Sequence, residues 1–250
     1  MALIRSLLHL LVMIITVIPY TTVILLVRLL GGSPAARYRV ARAWLALCVD
    51  SARWIVGIRT RVEGMEHLPR DSTQGAVLLV KHQSAFETFL MPAIMPHALA
   101  YVFKKELLRI PFFGWSIGSL DMIHIDRSQK ARAFVHVIKR GKQLLGQGVW
   151  VIMFPEGTRT ARGEKGTYQA SGARLAIEAG VPVVPVAVTS ARCWPRKVLV
   201  KTPGIVDVSI GRPIATAGRK SDELMREVED WIESEMRRLD PDAYAPARDA

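Results

Sequence analysis

The run Lys81-His82-Gln83-Ser84-Ala85-Phe86-Glu87 follows an apolar stretch, GAVLLV at 75–80, so His82 stands where a strand is expected to turn into a helix. A helix N-terminus presents unpaired N–H groups and partial positive charge, which keeps a histidine there neutral and able to take a proton. Glu87, in the first turn, can accept N–H from one ring nitrogen and fix the tautomer whose other nitrogen takes a proton from a hydroxyl. Ser84-x-x-Glu87 is also a capping box, with Glu87 reaching back to the N-cap N–H, so the pair has a purely structural reading. Ser84 lacks the Gly-x-Ser-x-Gly surroundings of an acyl nucleophile, which leaves a dyad without a nucleophile of its own.

Three further polar clusters stand at expected strand ends. Pro155-Glu156-Gly157-Thr158-Arg159-Thr160 follows VWVIMF (149–154) and combines a glycine, a hydroxyl and a guanidinium. Arginine fits phosphate oxygens as a fork, glycine lets the backbone approach, and Glu156 could aim Arg159 or hold a ligand hydroxyl; an ordinary polar turn has the same composition. Lys104 to Arg109 sets cations beside the apolar ridge Ile110 to Phe113, which reads as a solvated helix face or as the wall of a phosphate and acyl-chain site. Asp126-Arg127 puts another cation after the run 121–125.

The elements that must position these residues alternate. Strands are expected at 75–80, 99–103, 121–125, 149–154, 181–188 and 206–210, and helices at 84–95, 128–146, 171–179 and 221–239. This pattern predicts an α/β fold, a single layered domain with a largely buried sheet flanked by helices, and it assigns sites to strand ends. The acidic helix at 221–239, with Leu224, Val228, Trp231 and Ile232 as its stripe, reads as packing and solvated charge, and the tail after Pro241 as frayed. Three parts follow: residues 1–57 as a membrane anchor and interfacial helix, 58–215 as the α/β domain, and 216–250 as the acidic helix and tail.

Between Arg5 and Arg28 no residue carries a formal charge. As a helix this stretch extends about 33 Å, against about 30 Å of bilayer hydrocarbon. A secretory signal fits less well, because its apolar core is shorter and no good cleavage site follows. Pro19 could break the helix and form a re-entrant or in-plane hairpin, so spanning and monotopic insertion are both open. Arg28, Arg37, Arg39, Arg42 and Arg53 lie after the segment and place the remainder on the cytoplasmic face of the inner (plasma) membrane. Residues 40–58, with Trp44, Leu47, Val49 and Trp54 among charges, suit an interfacial helix, or a core helix with exposed arginines.

The chain carries a formal charge of +12, but residues 221–250 hold 4 basic and 10 acidic side chains, so the first 220 residues carry +18. That part faces something anionic, and with a membrane segment and no nucleic-acid motif the anion is a membrane surface rather than nucleic acid. Cys48 and Cys193 form no CxxC pair, and the six histidines never fall at i, i+4, so no disulfide scaffold and no metal are expected.

Taken together these residues resemble the glycerolipid acyltransferase family, most closely the 1-acylglycerol-3-phosphate O-acyltransferases. The family's first block corresponds to His82 and Glu87, its second to Lys105–Gly114, its third to FPEGTR at 154–159 and its fourth to the Val-Pro-rich strand at 181–186, while Ile125-Asp126-Arg127 resembles the segment carrying a phosphate-binding arginine. The likeness covers roughly 58–215 and implies an enzyme that moves a fatty acyl group from acyl-CoA or acyl carrier protein to the 2-hydroxyl of 1-acylglycerol 3-phosphate, with no cofactor. It implies His82 as base, Glu87 as its partner, Lys105, Arg127 and Arg159 on the phosphate, and Gly157 and Thr158 shaping the turn beside Glu156. The first-block acid is usually Asp and here is Glu87, one methylene longer. Other acceptors (glycerol 3-phosphate, another lysophospholipid, a lyso-aminolipid) and a non-catalytic lipid-binding module are the alternatives.

Overall fold

The computed structural model describes residues 1–69, 73 and 75–244, without the side chains of Arg127, Lys130 and Ala131. Helix α1 (Ala2–Leu29) runs unbroken through Pro19. It is held on both sides of the proline, which opposes a break there. Ser6 and His9 are buried before it, with His9 Nε2 3.1 Å from the Cys48 carbonyl, and Thr21 and Ile24 after it, with Thr21 donating to the Phe112 carbonyl at 3.2 Å. The rest of the helix, including Leu7, Leu11, Ile14, Ile15 and Leu26, is exposed, and its length and hydropathy suffice to cross a membrane.

Helix α2 (Pro34–Ser51) starts with Pro34 at its first position and Ser33 Oγ accepting the Ala36 N–H, the favoured chemistry for an N-terminus. Its apolar stripe turns inward: Trp44 and Cys48 are buried, and the Trp44 indole donates to Thr16 Oγ1 at 3.1 Å. Of the two expected interfacial tryptophans only Trp54, 78% exposed and beside a π-helical turn at Ala52–Val56, faces outward. Its neighbour Arg53 lies over the indole ring at 5.2 Å.

The remaining elements are β1 (Ile58–Glu63), β2 (Val77–Val80), α3 (Phe86–Ile94), β3 (Leu99–Lys104), α4 (Phe113–Ile117), β4 (Ile123–Ile125), α5 (Lys130–Leu145), β5 (Trp150–Met153), α6 (Ser171–Ala179), β6 (Val183–Val188), β7 (Gly204–Ile210), α7 (Ser221–Leu239) and α8 (Pro241–Tyr244). The strands form one sheet in the order β1-β7-β6-β2-β5-β3-β4, parallel except where β6 meets β7. β2, β5 and β6 are buried on both faces, which is why they read as unbroken apolar runs rather than as alternation.

The two faces carry separate cores. Phe86, Leu90 and Met91 of α3 pack with Leu78, Val80 and Ile152 on one face; Leu175, Val228, Ile232 and Met236 pack with Val77, Leu79 and Val151 on the other. β2 and β5 are hydrogen-bonded neighbours, yet the helix after β2 lies on the first face and that after β5 on the second. The ends of this strand pair therefore open a crevice between diverging connections, where α/β sheets bind ligands.

Three expectations change. β1 was not expected, because only Ile58 of Ile-Arg-Thr-Arg-Val-Glu is buried, as suits an edge strand. The chain beyond Pro241 is not frayed throughout: Pro241–Tyr244 is helical, with Arg237 over the Tyr244 ring at 5.6 Å, and residues 245–250 lie outside the described part. Nor is α7 only packing and solvated charge, since Glu233 is buried.

Candidate active site

β2 delivers His82 to the crevice. Its ring Nδ1 lies 2.9 Å from Glu87 Oε1, and that oxygen also accepts the N–H groups of Gln83 and Ser84, both at 2.7 Å. The structural and chemical readings of Glu87 are thus the same geometry: one carboxylate oxygen caps the start of α3 and faces the imidazole. Ser84 Oγ turns away to accept the Phe86 N–H at 3.0 Å. Because Glu87 accepts at Nδ1, that nitrogen carries the hydrogen, and in the neutral ring Nε2 keeps its lone pair. Nε2 has no hydrogen-bond partner among the described residues.

The turn after β5 grips the same histidine by its backbone. Glu156 Oε1 accepts the His82 N–H at 3.2 Å, and Thr160 donates to the His82 carbonyl through its N–H at 2.8 Å and its hydroxyl at 3.2 Å. Phe154 stacks on the imidazole, with ring centroids 3.9 Å apart. Tyr101 packs beyond Phe154, and burial pushes its phenol well above the usual range, so it stays a neutral donor to the Thr88 carbonyl at 3.2 Å. The ring is fixed at one nitrogen, one face and both backbone polar groups.

A cavity of about 620 Å³ opens at His82. Its deep walls are apolar, drawn from Trp44 and Leu45 of α2, Phe89 of α3, and Phe113 and Ile117 of α4. Its mouth is polar: Lys104, Thr158, Arg159 and Gly157 line it. Gly157 has φ +64°, a left-handed conformation that a side chain strains, although the space beside it is open. Thr158 and Arg159 are exposed, and Arg159 makes no ion pair among the described residues, while its carbonyl accepts from the Arg196 guanidinium.

The other expected residues lie elsewhere around this mouth. Lys105 starts the 3₁₀ turn after β3 and pairs with Asp126, whose carboxyl is held far below the usual range by Lys105 and then by Ser128. Its neighbour Lys104, rather than Lys105, lines the cavity. Arg127 opens the 3₁₀ turn Arg127–Gln129, and its side chain lies outside the described residues. Glu156 is buried behind the turn, held to His82 and Lys81 rather than to Arg159. Phe154, Thr160, Lys81 and Glu233 carry no role in the sequence reading; Lys81, a charge closing an apolar strand, is the available signal. No group of three or more His, Cys, Asp or Glu among the described residues could hold a metal ion. Burial pushes the Cys48 thiol up to about 12 and that of Cys193 to about 11, so neither supplies a thiolate nucleophile near neutral pH.

Residues 59–189 match the family model described as Acyltransferase. A Pseudomonas aeruginosa protein named 1-acyl-sn-glycerol-3-phosphate acyltransferase is 39% identical over 82% of this chain and 80% of its own. The mouse 1-acyl-sn-glycerol-3-phosphate acyltransferase alpha is 30% identical over 72% of this chain, which matches 63% of the mouse protein's length. The crystal structure of the 1-acyl-sn-glycerophosphate acyltransferase PlsC from Thermotoga maritima shares the fold, with a TM-score of 0.81 at 24% identity, over 100% of this chain and 98% of that one.

Proposed function

The chain belongs to the acyltransferase family, and on that premise we propose that it transfers a fatty acyl group from a thioester, acyl-CoA or acyl carrier protein, to the 2-hydroxyl of 1-acylglycerol 3-phosphate, giving phosphatidate. The observation that carries the reading is His82 Nε2 standing without a partner among the described residues where a cationic mouth meets an apolar cavity. The cavity volume falls within the roughly 300–1,000 Å³ usual for small-ligand sites. An acyl chain suits the walls from α2, α3 and α4, and a phosphate suits Arg159 and Lys104, with Lys105 next in the chain and Arg127 two residues after Ile125, the register partner of Lys104.

In this reading Nε2 takes the proton of the 2-hydroxyl as its oxygen attacks the thioester carbonyl, and Glu87 stabilises the imidazolium that forms. The collapsing intermediate expels the thiolate, which receives that proton. No acyl-enzyme is formed, and no buried thiol is used.

The attachment of α1 supports a monotopic membrane association. A helix held to its own domain from Ser6 to Ile24 cannot cross the bilayer while leaving that domain outside, so its exposed apolar side lies in the leaflet along its length. The cavity walls from α2 and α4 then face the side from which a lipid enters, and the arginines of α2 support a cytoplasmic orientation.

Purified protein assayed with acyl-CoA and acyl carrier protein donors against a panel of lysolipid acceptors tests the proposal. Turnover on 1-acylglycerol 3-phosphate should exceed that on lysolipids lacking a terminal phosphate, and His82→Ala should abolish it by about 10²- to 10⁴-fold. Full activity of His82→Ala would remove the catalytic reading, and a preference for another acceptor would replace the substrate.

A further inference from the structure

Behind the histidine, on the side away from the cavity, lies a cluster that the chemistry above does not use. Lys81 is 0% exposed, and its Nζ stands 2.6 Å from Glu233 Oε1 and 3.4 Å from Glu156 Oε1, with the side chains of Glu156 and Glu233 1% and 3% exposed. Lys81 Nζ also donates to the Glu164 carbonyl at 3.2 Å, and the Tyr168 hydroxyl donates to Glu233 Oε1 at 2.8 Å. Taking three ionisable groups out of water is costly even when they pair, so such a cluster adds little to stability alone. One ammonium neutralises one carboxylate. Burial accordingly pushes the Glu156 carboxyl up, with Lys81 opposing.

We infer that Lys81 and Glu233 are positioning residues for His82, acting through Glu156. The chain of contacts has no gap: Glu233 on α7 fixes the Lys81 ammonium, Lys81 fixes Glu156 Oε1, and that oxygen holds the His82 N–H. Glu87 sets the ring from the front, and this cluster sets the backbone that carries the ring. The C-terminal acidic helix thereby becomes part of the catalytic apparatus, although it contributes no residue to the cavity. The covalent neighbour relation between Lys81 and His82 makes the coupling stiff, since a shift of the lysine backbone moves the histidine directly. Displacing a reacting group by about 1 Å can cost about a hundredfold in rate.

The inference rests on His82 being the base, and the test separates the two. Glu233→Gln in the full chain should lower kcat per folded molecule by about ten- to a hundredfold while KM for donor and acceptor stays within about twofold. Val228→Ala, which thins the same face of α7 without touching the cluster, should lower the unfolding midpoint and leave kcat per folded molecule unchanged. The double variant Lys81→Met/Glu233→Leu removes both charges of the pair, an exchange that buried ion pairs often tolerate in stability, and should remain slow despite folding. Parental kcat in Glu233→Gln or in the double variant overturns the inference, as does an equal loss in Val228→Ala. If neither charge variant accumulates folded, Tyr168→Phe decides by the same split between kcat and KM, a parental kcat again overturning it. Should His82→Ala remain active, the base assignment fails; should His82→Ala be inactive and Glu233→Gln fully active, only the present inference fails.

Discussion

Two ion clusters sit beyond the C-terminal ends of neighbouring parallel strands and differ in almost every respect. At the ends of β3 and β4, Lys105 pairs with Asp126 in contact with water, beside the mouth that Arg159 and Lys104 line. At the ends of β2 and β5, Lys81, Glu156 and Glu233 are closed off from water. An exposed pair is held weakly, because solvent and salt compete with it, so a substrate phosphate can replace the carboxylate at little cost. A buried cluster cannot exchange partners; removing one member strands another. In the proposed function the same residue types therefore serve capture at the mouth and, by the further inference, fixation behind the histidine.

The largest separation between the two ends is expected from Glu87→Gln. The amide oxygen can still accept the Gln83 and Ser84 N–H groups, so the cap on α3 and the unfolding midpoint should change little. The charge that stabilises imidazolium is lost, and kcat should fall by about 10²- to 10⁴-fold with acceptor KM nearly constant. A lower unfolding midpoint at parental kcat would make Glu87 a cap alone.

The mouth should respond in the opposite parameter. Arg159→Lys keeps the charge and loses the fork, so acceptor KM should rise by about ten- to a hundredfold, the order expected for one charge-assisted hydrogen bond of about 1.5–3 kcal/mol, while donor KM and kcat move little. A rise in donor KM instead would assign this turn to the phosphates of the donor.

Much of this contrast was legible in the chain beforehand. Apolar runs bounded by polar turns identified β2, β3, β5 and β6 and, between them, α3, α5 and α6, because a sheet buried on both faces leaves that mark; the five-residue α4, too short for a periodic stripe, was not legible. The block His82 to Glu87 and the turn at 154–159 were visible for the same reason: their polar groups interrupt apolar runs. What sequence could not carry was long-range pairing. That Thr160 and Glu156 hold the backbone of His82 depends on β2 and β5 being neighbours, and Glu233 is one acid among many on α7 until Lys81 is found 152 residues away. The unbroken course of α1 was equally hidden, since Pro19 signals a break and only the contacts on either side of it oppose one.

A smaller effect separates the clusters by pH. Glu156 has its carboxyl raised by burial, so the folded state holds that proton longer than the unfolded chain, and this residue's contribution to stability declines as pH rises from the ordinary glutamate range through its raised value. Glu156→Gln removes the titration. The difference in unfolding free energy between variant and parent, from urea unfolding at a series of pH values, should shift in favour of the variant with rising pH. A difference independent of pH would mean that Glu156 is ionised throughout and that the cluster carries a net negative charge.

The smallest change is expected where the exposed pair is cut. Lys105→Ala removes the partner of Asp126, but Ser128 still donates to that carboxylate through its N–H at 3.1 Å and its hydroxyl at 2.6 Å, and water reaches both sides. The unfolding midpoint should therefore stay at the parental value, in contrast to Lys81→Met, which leaves two buried acids without their cation. Any effect of Lys105→Ala should appear only with substrate, as a rise of about two- to fivefold in acceptor KM that shrinks as ionic strength increases, because an exposed cation acts through a screened field. Asp126→Asn sharpens the reading: it frees Lys105 from its competitor and should lower the same KM. If both substitutions raise it, the pair acts as a unit that shapes the turn after β3, and capture of the phosphate falls to Arg159 and Lys104. If neither alters KM at any salt concentration, Lys105 takes no part in binding and the second family block serves here through its apolar residues, Leu107 and Phe113, which line the cavity.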